Sequence, residues 1–175
     1  KTATTPAPAV ATVAGIRLVR SLADLEAVTL SSGKHSNPDA GMCINEAVSW
    51  LAGGSFTDRP ACMSRVISSL TMSFNDRLPA NAERDRLLKP LIPIVIGTAT
   101  TKADETIRGY MAADWFIRKR APVWLRLAGF EMEAKSLEDL EPITDPATAK
   151  AARAVTHPLR DKMWSGRSVR WTALR

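Results

Sequence analysis

Between positions 35 and 62 the chain holds one imidazole, two thiols and a carboxylate: His35, Cys43, Glu46 and Cys62. Three chemistries fit these residue types. In the first, His35, Cys43 and Cys62 ligate zinc, and Asp39, Glu46 or Asp58 completes a tetrahedron, since imidazole, thiolate and carboxylate are all zinc ligands. The spacing argues against it, because structural zinc usually takes ligands in close pairs such as C-x2-C, and here each cysteine stands alone. In the second, Cys43 is a reactive thiol. It falls in the first turn of a helix, where the backbone dipole lowers a thiol pKa, and His35 would be its base. Glu46, one turn on, opposes this by favouring the neutral thiol. In the third, both cysteines are packing residues at a helix seam, Asp58 caps a helix and His35 bonds within a loop. Small polarisable side chains suit close helix packing, and single buried cysteines are more often inert than functional. The third reading is preferred, with no cofactor expected and zinc as the alternative.

A second chemistry sits at the C-terminus. The net charge is +6, yet residues 1–149 carry 17 basic and 17 acidic side chains, so the whole excess lies in residues 150–175. There Arg160, Lys162, Arg167, Arg170 and Arg175 interleave with Trp164 and Trp171 against a single acid, Asp161. Cations neutralise phosphates and indoles stack on unpaired bases, so these seven residues are the candidate nucleic-acid-binding set. Docking of the tail on an acidic protein surface is the other partner class. The run RKRAPVWLR, with Arg118, Lys119, Arg120 and Arg126, would extend this patch if adjacent.

The elements that must position these groups read as helical. Ser21 and Asp24 form a capping pair for a short helix, and SSGKHSNPDAG is dense in turn formers. Ile44, Val48 and Leu51 recur at helical spacing, stopped by Gly53-Gly54. Asp58 and Pro60 resemble a helix start, with Met63, Ile67, Leu70 and Phe74 on one face and an end near Asn75. Pro90 and Pro93 predict a kinked or broken helix over LKPLIPIVIGT. Thr101 with Asp104 opens a helix whose core face would be Ile107, Tyr110 or Met111, and Trp115. Asp145-Pro146 opens an Ala-rich helix that Pro158 should interrupt, and WSGRSVRWTALR alternates as if extended. The expected fold is all-α: a single domain of six or seven short helices spanning 15–145. A flexible lead over 1–14 precedes it, and a basic C-terminal helix and tail over 146–175 follows.

The patterns H-x7-C-x2-E, T-D-x-P-x-C, F-N-D-x-L-P and L-K-P-L-I-P-x-x-x-G-T resemble small uncharacterised helical proteins of actinobacteria and their mobile elements. The likeness spans His35 to Phe130. It implies that the helical middle is a unit, and it carries over no catalytic or binding residue.

Composition is that of an ordinary globular protein, with 45% apolar and 24% charged residues. No apolar run is long enough for a membrane span, and the N-terminus has no compact Leu-rich leader, so a cytoplasmic protein without membrane contact is expected. No P-loop, GxSxG or HExxH motif is present. The primary reading is a non-enzymatic binding protein contacting nucleic acid or another macromolecule through the basic tail. The competing classes are a zinc- or cysteine-dependent protein built on His35, Cys43 and Cys62, and a mobile-element inhibitor or adaptor.

Overall fold

A computed structural model describes residues 12–173, with side chains described as far as Met163. The fold is all-α, as the hydrophobic spacing requires. It divides into two compact units, Lys1–Glu105 and Thr106–Arg175.

The first unit opens with a two-residue hairpin, β1 (Thr12–Val13) against β2 (Ile16–Arg17). Ala14 and Gly15 between them both have positive φ, the geometry that a tight hairpin turn demands. The expected flexible lead is therefore structured from Thr12 onward; its first 11 positions lie outside the described residues. Helix α1 (Leu22–Glu26) starts at the reciprocal Ser21–Asp24 capping box. Helix α2 (Ile44–Ala52) stops at Gly53 in the left-handed region, and α3 spans Arg65–Arg77. Helix α4 (Asn81–Leu88), a 3-10 turn over Lys89–Leu91 and α5 (Ile92–Val95) make up the segment broken by Pro90 and Pro93. The core joins Leu18, Leu30, Ile44, Val48, Leu51, Ile92 and Ile96, all essentially inaccessible.

Helix α3 departs from its sequence reading. It begins at Arg65, where Ser64 rather than Asp58 accepts the N-terminal amide of Ile67. Its buried residues are Ser68, Thr71 and Asn75, whereas Leu70 and Phe74 are 37% and 49% exposed. The reason is Asn45, fully buried on α2. Its amide donates to Ser68 Oγ (2.9 Å), Ser68 O and Asp58 O (3.0 Å each), and its oxygen accepts from Thr71 Oγ1 (2.7 Å). A buried amide must be satisfied, and the hydroxyl face of α3, together with Asp58 O, does so.

The second unit holds the rest of α6 (Lys102–Asp114), a π-helical turn over Trp115–Arg120, α7 (Ala121–Leu127), α8 (Glu131–Glu138) and α9 (Pro146–Ala173). Among the described residues its buried ones are few: Pro122, Ala134, Leu137, Ile143 and Ala152. The expected core face of α6 is not one, since Ile107, Met111 and Trp115 are exposed. Asp145 caps α9 by accepting the amides of Ala147 (2.8 Å) and Thr148 (2.9 Å). Pro158 does not interrupt α9, and the segment expected to be extended is helical through Ala173. A proline forfeits one i→i−4 bond, and the helix formers on either side of it carry the helix past that loss.

Candidate functional site

The His35 cluster is built by the loop between α1 and α2 and by the first turn of α2. Cys43 is the N-cap of α2, and Glu46 is its third residue. The Glu46 carboxylate is 0% exposed and accepts three bonds: from the His35 amide (2.7 Å), from His35 Nδ1 (2.8 Å) and from the Cys43 amide (2.9 Å). Burial pushes the Glu46 carboxyl up, but the bonds from His35 and Cys43 outweigh it and hold the group below its ordinary value. An ionised Glu46 fixes the proton of His35 on Nδ1. In the neutral ring Nε2 is then the acceptor, and it lies 2.9 Å from Ser31 Oγ. Ser31, His35 and Glu46 thus form a hydroxyl–imidazole–carboxylate chain that runs from a part-exposed serine to a fully buried acid.

The loop that carries Ser31 and His35 is pinned along its length. The Leu30 amide donates to Asp85 Oδ1 (2.8 Å), the Ser31 amide to Met42 O (2.9 Å) and the Gly33 amide to Asp76 Oδ1 (3.0 Å). Asn75 Nδ2 donates to Ser31 O (2.9 Å), while Asn75 Oδ1 accepts the Ile44 amide (3.2 Å) and so ties the loop to the start of α2. Gly41 passes close over the pair: a Cβ there would lie 2.8 Å from Ser31 Oγ and 3.0 Å from His35 Nε2.

The three proposed zinc ligands are not brought together as a set. His35 and Cys43 both meet Glu46. Cys62 lies ahead of α3, where its carbonyl accepts the amides of Gly97 (2.9 Å) and Ala99 (3.3 Å). Among the described residues, no group of three or more His, Cys, Asp or Glu side chains is placed to hold a metal ion. Cys43 is also a poor nucleophile: burial first, and the Glu46 charge besides, pushes its thiol up to about 12. Burial raises the Cys62 thiol as well. Ser31 and Asn75 carry the site and escaped sequence reasoning; a serine four residues before a histidine inside a turn-rich run has no recognised spacing.

The basic set lies on α9. By helical register, Arg153, Arg160, Trp164, Arg167 and Trp171 fall on one line, at intervals of i, i+7, i+11, i+14 and i+18. Arg153 and Arg160 are exposed. On a different side of the helix, Ala152 is buried and Lys162 pairs with Glu133 of α8. Arg170 lies off the line; for it and for Trp164, Arg167 and Trp171 only the helical backbone is described, and Arg175 lies outside the described residues. Two of the four cations in the second basic run, Arg118 and Arg126, are paired with carboxylates of their own unit. Arg118 pairs with Asp114 (3.0 Å), and Arg126 binds both Glu131 (2.9 Å) and Glu138. No helix among the described residues is long and apolar enough to cross a membrane.

Comparison with known proteins found no family model, no curated protein and no solved structure that matches this chain.

Proposed function

We propose that this chain is a nucleic-acid-binding helical protein that engages unpaired strands along one face of α9. The observation that supports it is the register of α9, which converts a scattered basic composition into a single line of arginines and tryptophans about 27 Å long. Arginines on that line release counterions from phosphates, and tryptophans between them offer stacking surfaces for bases that are not paired. Single strands are favoured over duplex because an indole reaches the face of a base only where the base is unstacked. Lys162, held by Glu133, and Arg160, held by Asp161, contribute less than an unpaired cation would.

The test is a fluorescence-anisotropy titration of the full chain with a labelled single-stranded 20-mer and with its duplex. Tighter binding of the single strand is expected, with a loss of roughly 5- to 150-fold per tryptophan in Trp164→Ala and Trp171→Ala, as base stacking is worth about 1–3 kcal/mol. Equal loss on duplex and single strand, or no binding to either, rejects the reading in favour of an acidic protein partner.

A further inference from the structure

We infer that Ser31 is a nucleophile activated by His35 and Glu46, giving the chain an acyl-transfer activity on small activated carboxylic esters. Three observations carry this inference independently of the α9 reading. The geometry is that of an activated serine: hydroxyl to Nε2 at 2.9 Å and Nδ1 to carboxylate at 2.8 Å, both within the reach that proton transfer requires. Burial is graded along the chain of groups: Glu46 is fully enclosed, the His35 side chain is 13% exposed and Ser31 is part-exposed, so the acid is shielded from solvent. The loop is held at Leu30, Ser31 and Gly33 by bonds to other elements, so the pair is positioned before any substrate arrives.

In the reaction, Ser31 Oγ bonds to the ester carbonyl carbon while its proton passes to His35 Nε2. The carbonyl π pair moves to oxygen and returns as the ester C–O bond breaks, and the leaving alkoxide takes the proton from His35. Water repeats the sequence on the acyl-serine, releasing a carboxylate and restoring Ser31. Glu46 holds Nδ1–H throughout and stabilises the transient imidazolium. No oxidant, metal or second substrate is needed beyond water.

The test uses the full-length chain with a fluorophosphonate probe, whose fluoride is displaced by Ser31, and with p-nitrophenyl acetate. The expected result is one phosphonyl group per chain, mapped to Ser31 by peptide mass, and a burst of nitrophenol from the ester. Ser31→Ala should abolish both. His35→Gln, checked for native circular dichroism, should slow labelling about 100-fold or more, the usual worth of a general base. An unlabelled Ser31 in folded protein overturns the inference, and so does labelling at an undiminished rate in folded His35→Gln. Either result would reduce Ser31 to a loop-bonding residue.

Discussion

Replacing Glu46 with Gln changes almost nothing in shape and almost everything in hydrogen bonding. In the native chain one carboxylate oxygen accepts the His35 amide, and the other accepts His35 Nδ1 and the Cys43 amide, all within 2.9 Å. A glutamine offers one acceptor and one donor. Whichever way the amide sits, its NH2 group faces at least one N–H that has no other partner. The loss is then one or more bonds to a charged acceptor, about 1.5–3 kcal/mol each, plus a buried orphan donor at about 1–3 kcal/mol. A destabilisation of about 3–5 kcal/mol is expected, a large share of the roughly 5–15 kcal/mol that stabilises a typical domain. Urea unfolding followed by circular dichroism would measure it at pH 7. The difference should also depend on pH in a set direction. The folded carboxyl lies below its ordinary value of 4.5, so above 4.5 both states are ionised and the wild-type advantage is complete. As pH falls from there through the lower folded value, the unfolded chain takes up the proton first and the advantage shrinks. A difference below about 1 kcal/mol at pH 7, or one that stays constant into acid, would refute the assignment of an ionised, triply bonded Glu46.

Three further perturbations probe the same unit. Asn45→Ala strips four hydrogen bonds, three of them across the α2–α3 seam, leaving Ser68 O and Asp58 O without that donor; a loss of about 2–4 kcal/mol in urea unfolding is expected. Gly53→Ala puts a Cβ 2.5 Å from Val19 Cγ1 at a residue with φ of 75°. Val19 is itself tied to Leu51 O, so thermal unfolding should show a cost of about 1–2 kcal/mol or more. Cys43, with its thiol raised to about 12 against an ordinary 9.0, should present about a thousandfold less thiolate than a free cysteine at neutral pH. Labelling with a disulfide reagent should therefore be slow in native buffer and fast once urea unfolds the chain.

What the sequence revealed and what it concealed divide along physical lines. The caps at Ser21, Thr101 and Asp145, the stop at Gly53 and the break at Pro90 and Pro93 were legible because they act within a few residues of themselves. The polar face of α3 was not legible, because it answers to Asn45 some 20 to 30 positions away, and apolar periodicity alone assigned Leu70 and Phe74 to the core. Pro158 misled because a local breaker was weighed without the helix formers on both sides. The site was half visible. His35 and Glu46 stood out as residue types, but the third partner is a serine, whose frequency in loops hides it until the fold puts Oγ beside Nε2.

The central claim, that the arginine line of α9 binds nucleic acid strands, is tested most directly by the salt dependence of affinity. Log Kd for a labelled single strand would be measured against log salt concentration for the wild type and for a chain carrying Arg153→Gln, Arg160→Gln and Arg167→Gln. Three lost phosphate contacts should flatten the slope by about 2, at roughly 0.7 per contact on single strands. Affinity that is independent of salt, or a slope unchanged by the triple substitution, would contradict it.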